Sequence, residues 1–293
     1  MECLLDGGGS ETAICRKRWE PQMSEENSSR QSVGWLRGLP NTIKAFVVVP
    51  IAGFVFNWFF PGIWETASQR VFGREPVEVA IVDDQQALGL GWSVALPQPL
   101  PSEGRPAPGT SGRDVRTRLL EMGAADAGQS NMRMVMRGIG RNATLITGMT
   151  ARIISRDPIH RGTLVSSRST GASEVTTIAF NLDATRPLAR SFDQVKADVV
   201  GEPYFIDNVI TIDPDSTFIF DVKALASRAT YRWELEIAFQ YDGKGDTMTI
   251  NRNGEPFRTT ALSKEYGERF DWAWHESPPH LLAVDEDGSP IDD

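Results

Sequence analysis

The chain has 293 residues, of which 40% are hydrophobic and 24% charged, the composition of a folded protein with one large or two ordinary domains. Its formal charge of −9 argues against a nucleic-acid binder that works by phosphate neutralisation. Two cysteines, Cys3 and Cys15, and three histidines leave no disulfide framework and exclude most zinc sites.

Residues 1–42 are rich in Gly, Ser, Glu, Asn and Gln without periodicity, which predicts a mobile N-terminal segment. Both Met1 and Met23 fit as the start of translation. From Ala45 to Trp64 the chain reads AFVVVPIAGFVFNWFFPGIW, with no charged residue. As a helix this run is about 30 Å long, enough to cross a hydrocarbon core. Trp58 and Trp64 suit the interfacial zone, while Lys44 and Glu65 bracket the run. A transmembrane helix over 43–66 is therefore predicted, with the lipid bilayer as partner of residues 45–64. Glu65-Thr66-Ala67 is a poor signal-peptidase site, so the helix reads as an uncleaved signal anchor. Arg30, Arg37 and Lys44 before the span outnumber Arg70 and Arg74 after it. That bias favours a cytoplasmic N-terminus and an extracytoplasmic C-terminal domain in the cell envelope.

After the span most of the chain alternates with a period of two. Strands are predicted over 77–82, 90–96, 144–155, 174–182, 205–212, 216–223, 246–250 and 256–260. Met132, Met134 and Met136 alternate with Arg133 and Arg137 in the same way. The clearest strand runs from Tyr231 through Trp233, Leu235, Ile237 and Phe239 to Tyr241, with Arg232, Glu234, Glu236 and Gln240 on its other face. Asp242-Gly243 and Asn253-Gly254 are turn signals. Residues 97–112 carry five Pro and three Gly and read as an extended loop. Ser111 or Asp114 then caps a short helix to about Met122, with Val115, Leu119 and Met122 at helical spacing. These elements predict a mainly β domain over 77–262, an antiparallel β-sandwich of immunoglobulin-like architecture. Residues 263–293 are expected to form a C-terminal extension, partly disordered, ending in an acidic tail.

No motif carries a defined chemistry. Gly109-Thr110-Ser111-Gly112 has the wrong spacing for a nucleophile elbow. His160, in Asp157-Pro158-Ile159-His160-Arg161-Gly162, reads as a surface histidine in a turn. His275 and His280 flank Glu276 but lie five apart around Pro278-Pro279, which prevents the helical geometry of a zinc motif. Asp207, Asp213 and Asp215 are candidates for a calcium site, although Asp213-Pro214-Asp215 is also a plain turn sequence. Gly89-Leu90-Gly91 lacks the third glycine of a phosphate loop. Phe270, Trp272 and Trp274 alternate, as a last strand packed in the core or as a ligand surface. No catalytic, cofactor or metal residue is assigned, and no cofactor is expected.

Leu145-Ile146-Thr147-Gly148-Met149-Thr150-Ala151-Arg152, Pro158 and Arg161-Gly162-Thr163 resemble a family of actinobacterial single-pass, membrane-anchored β-domain proteins. Phe180-Asn181-Leu182-Asp183, Tyr231-x-Trp233 and Gly254-Glu255-Pro256-Phe257-Arg258-Thr259-Thr260 share that resemblance. It spans about residues 77–262 with the preceding apolar run, and it implies a layout of strands and turns without an activity. The excess of 24 Arg over six Lys agrees with a high-GC source. The function expected is binding or interaction at the cell envelope, with an unknown protein or envelope ligand. The alternatives are a membrane-tethered hydrolase using carboxylates and, if the orientation is reversed, a cytoplasmic-facing sensor or partner protein.

Overall fold

A computed structural model of the chain describes residues 76–82, 91–168, 175–193 and 198–291. The mobile segment expected over 1–42, the apolar run at 45–64 and Gly89-Leu90 lie outside the described residues. Among the described residues no helix is long and apolar enough to cross a membrane.

Two sheets dominate. The first has six strands, β1 (Val77–Val82), β4 (Gln129–Gly138), β7 (Thr177–Asn181), β8 (Arg190–Asp193), β9 (Asp198–Pro203) and β11 (Thr217–Leu225), in the order β1-β4-β11-β7-β8-β9. The second has ten: β2 (Trp92–Ala95), β3 (Ala125–Ala127), β5 (Thr144–Asp157), β6 (Thr163–Ser167), β10 (Ile210–Ile212), β12 (Thr230–Tyr241), β13 (Lys244–Ile250), β14 (Phe257–Thr260), β15 (Glu268–Ala273) and β16 (His280–Ala283). Its path runs β10-β5-β12-β14-β3-β2-β6-β15-β16, with β13 beside β14 on the same edge of β12. Among the described residues, helix α1 (Gly112–Glu121), the single turn α2 (Tyr204–Asp207) and a 3-10 turn at Ser102–Gly104 join the strands.

The long alternating segments form the main core. Met132, Met134 and Met136 of β4 and Phe220, Val222 and Ala224 of β11 turn inward to meet Tyr231, Trp233, Leu235, Ile237 and Phe239 of β12. Period-two alternation sends these rows to one face, and burial of such large side chains is what holds the two layers together. A smaller second core gathers Trp92, Val94, Val165, Phe270 and Trp272 against Val115 and Leu119 of α1. The predicted cap is present: Ser111 Oγ accepts from the Asp114 N–H at 3.1 Å, satisfying one orphan donor of the first turn.

Both turn signals are realised. Tyr241 pairs with Lys244 around Asp242-Gly243, whose φ values of 51° and 73° are those of a two-residue hairpin turn with the twist of its strands. Asn253-Gly254 does the same between the bridged Arg252 and Glu255.

Four differences from the sequence reading have physical causes. The sheets are mixed, because β7 with β11, β3 with β14 and β6 with β15 pair in parallel. The segment 205–212 begins as α2 after Pro203 and becomes strand only at β10. Strands β15 and β16 continue the second sheet beyond residue 262. Residues 285–289 of the acidic end are tied as well, since Asp285 Oδ1 accepts from the N–H groups of Asp287 at 2.9 Å and Ser289 at 2.8 Å.

Candidate functional site

At one end of the two-sheet region, four chain connections meet. Gly128 joins β3 in the second sheet to β4 in the first, with φ at +78°, a conformation glycine adopts without strain. Its N–H donates to the Thr260 carbonyl at 2.7 Å, and its carbonyl accepts from the Ala226 N–H at 2.9 Å. The turn after β7 is fastened to the turn after β11 by Asp183. Asp183 Oδ2 accepts from the Ser227 N–H at 2.9 Å and from Ser227 Oγ at 2.6 Å. Oδ1 accepts from the Arg228 N–H at 3.2 Å and from the Tyr231 hydroxyl at 2.5 Å.

Burial works against ionisation of Asp183, but these hydrogen bonds outweigh it and hold the carboxyl below its ordinary pKa. Tyr231 responds in the opposite sense: burial first, then the Asp183 contact, push its phenol up to about 12.

The joined turns border a cleft of about 560 Å³, within the roughly 300–1,000 Å³ typical of ligand pockets. Its floor carries a row set by strand register: Gln129 on β4 opposes Leu225 on β11, which opposes Asn181 on β7. Ser93 and Ser167 come from β2 and β6, and Leu262, 61% exposed, stands at the rim. Neither the Gln129 amide nor the Ser167 hydroxyl has a hydrogen-bond partner within the protein. Asn181 spends its carbonyl oxygen on the Asp183 N–H at 2.9 Å, leaving its amide nitrogen to the cleft. Ser93 is paired with Ser166, Oγ to Oγ at 2.9 Å.

No Lys, Arg or His is among the described residues that line this cleft. Lys223, two residues before Leu225 on β11, instead places its Nζ 4.3 Å from the centre of the Phe192 ring. The only acid among the described lining residues is Asp183, whose two oxygens already accept four hydrogen bonds. The described residues are equipped to hold a ligand by hydrogen bonds.

A second polar cluster lies in the interior between the two cores. Arg116 Nη2 of α1 donates to Asp126 Oδ1 at 2.6 Å, both side chains being almost wholly buried. Asp126 Oδ2 accepts from Ser130 Oγ at 2.7 Å; Ser130 Oγ meets Thr259 Oγ1 at 2.7 Å; and Thr259 accepts from Trp233 Nε1 at 2.9 Å. Ser130 has given its proton to Asp126, so Thr259 is the donor in the middle link, and each hydroxyl donates once and accepts once. This relay stitches α1 to β12 and β14 and is closed to solvent.

The sequence candidates fall elsewhere. His160 is half-buried rather than on the surface as expected from its turn. Its Nδ1 lies 2.9 Å from the Ala95 carbonyl, and its backbone N–H donates to Thr260 Oγ1 at 3.2 Å. Burial pulls its pKa down, against the raising effect of the Ala95 hydrogen bond. His275 is exposed with Nε2 3.6 Å from Glu276 Oε1, and His280 turns Nδ1 to the Pro278 carbonyl at 3.0 Å. Asp213 offers its backbone carbonyl to Ser216, Asp215 sits in the turn at φ 58°, and Asp207 ends α2. No group of three or more potential metal ligands occurs among the described residues. Phe270 and Trp272 are packed in the second core, while Trp274 is 44% exposed beside His275. The cleft residues themselves were missed, and only Asn181 and Asp183 stood within a segment the resemblance had marked.

No protein-family model matches the chain, and no curated protein matches it. The resemblance drawn from residues 145–163 and 254–260 therefore brings no activity with it.

Proposed function

We propose that the chain is a binding protein, anchored in the membrane through residues 45–64, that presents the cleft at the end of its β-domain to a ligand outside the cytoplasm. The observation that carries the binding role is the pair of unpartnered groups, Gln129 and Ser167, facing a cleft of about 560 Å³. A hydrogen-bonding group left unpaired at a concave surface is ready for a ligand and gains nothing for the fold. The anchor rests on the twenty uncharged residues from Ala45 to Trp64, and the orientation on the basic residues before them. The hydrolase alternative asks for two facing acids, whereas the described residues of this cleft supply one, already saturated with donors.

Two measurements test the reading. Protease added to intact cells should remove the β-domain as completely as it does after lysis; protection until lysis would reverse the orientation. Ligand-observed NMR on the full chain in lipid nanodiscs, with a library of small uncharged molecules, should find binders that Gln129→Ala weakens. A library without such a binder would remove the cleft from the account.

A further inference from the structure

Resting on that reading of the cleft, we infer that its ligand is a neutral saccharide. Among its described residues the lining holds no cation, so there a phosphate or carboxylate ligand would be desolvated without a charged partner. The one acid among those described residues, Asp183, already accepts four hydrogen bonds, so a cationic ligand would fare no better there. A purely apolar ligand would bury the Gln129 amide and Ser167 hydroxyl unpaired, at a cost for each group. What remains is a molecule that is uncharged and rich in groups that both donate and accept.

The row Gln129–Leu225–Asn181 matches the two-sided character of a sugar ring. Adjacent strands are about 4.8 Å apart, so the two side-chain amides stand about 10 Å from each other across the leucine. A hydroxyl group donates and accepts at once; the Gln129 amide offers both functions, and the Asn181 amide nitrogen adds a donor. Between the amides, Leu225 presents aliphatic surface to the C–H face of a ring, and Leu262 extends that surface at the rim. Ser167 adds a hydroxyl from the opposite wall, on the second sheet. Gln129 and Ser167 keep these groups available because no protein atom occupies them.

The test is calorimetric titration of the full chain in nanodiscs with maltohexaose, cellohexaose, mannohexaose and chitohexaose. Glucose 6-phosphate and an uncharged alanine–serine tripeptide complete the panel. The expected result is saturable binding of at least one neutral oligosaccharide, weakened about tenfold by Gln129→Ala, the loss of roughly one hydrogen bond, with unchanged thermal stability. Tighter binding of the phosphorylated sugar would overturn the assignment of a neutral ligand. Binding of the tripeptide alone would overturn the saccharide and leave the cleft a binding site. Silence from every probe, repeated in the uncharged NMR library, would overturn both.

Discussion

The Tyr231 hydroxyl reaches Asp183 Oδ1 across 2.5 Å, joining the first residues of β12 to the turn that follows β7. That one hydrogen bond couples a residue of the main core to the carboxylate that binds the 227–228 turn. The wall of the cleft and the stability of the fold therefore depend on the same pair.

Asp183→Asn is expected to destabilise the protein by about 3 kcal/mol at neutral pH, since a carboxylate accepting several donors is replaced by an amide that accepts on one atom. The acid limb carries the signature. The folded-state pKa of Asp183 is depressed, so its contribution is fully present above the unfolded value of about 3.9 and is lost as pH falls through the folded value. Urea unfolding at a series of pH values should show a shallower acid decline in Asp183→Asn than in the parent.

Tyr231 acts at the other end of the scale. Its folded pKa, pushed up to about 12, lies above the unfolded value of about 10, so the folded state holds the proton longer. Its contribution is complete below about pH 10 and disappears between there and about pH 12. Tyr231→Phe should abolish that alkaline loss, at a cost of about 1 kcal/mol near neutrality for the missing hydrogen bond. Denaturation across alkaline pH, read beside tyrosinate absorbance, distinguishes the variant from the parent.

The buried ion pair makes an asymmetric prediction. Arg116→Met strands the Asp126 carboxylate in the interior and should cost about 3–5 kcal/mol. Adding Asp126→Asn removes the orphaned charge while keeping an acceptor for Ser130, so the double variant should be more stable than the single one. Chemical denaturation of both settles the order; a double variant less stable than Arg116→Met would mean that the pair is not the controlling interaction.

Two glycines separate space from conformation. A Cβ on Gly162 would lie 2.1 Å from the backbone carbonyl carbon and oxygen of Gln98, which cannot move without displacing the strand connection. Gly162→Ala should prevent folding or cost more than about 4 kcal/mol. On Gly148 the same carbon would meet only Ala238 Cβ at 3.6 Å, an ordinary contact. Gly148→Ala should be neutral or stabilising by up to about 1 kcal/mol. Thermal denaturation of the two variants side by side tests the contrast.

Long alternation was legible in the sequence, and short burial was not. Strands β4, β5 and β12 each carry enough alternating residues to declare their faces, and Ser111 announced α1 by its capping chemistry. Strand β3 is Ala-Asp-Ala with all three residues buried, so it has no polar face to alternate with. The parallel pairs depend on which distant segments become neighbours, which local periodicity does not encode. His160 was misread because Asp157-Pro158 signals a turn while concealing that the imidazole reaches back to Ala95. The cleft stayed hidden for a related reason: Gln129, Ser167 and Asn181 lie at strand ends far apart in sequence, and only sheet order assembles them.

Strand β14 is four residues long and, among the described residues, is the only link in the second sheet between the β10-β5-β12 group and the β3-β2-β6-β15-β16 group. It pairs antiparallel with β12 and parallel with β3, and its Thr259 and Thr260 hydroxyls serve partners on both sides. A nascent chain that has emerged only as far as β13 thus has β10-β5-β12-β13 and β3-β2-β6 as separate pieces, each with an open edge where Phe257–Thr260 belongs. Contacts of such long sequence separation form late, so completion of the second sheet awaits β14, β15 and β16. The growing polypeptide must be kept from pairing those edges with another copy until that short strand arrives.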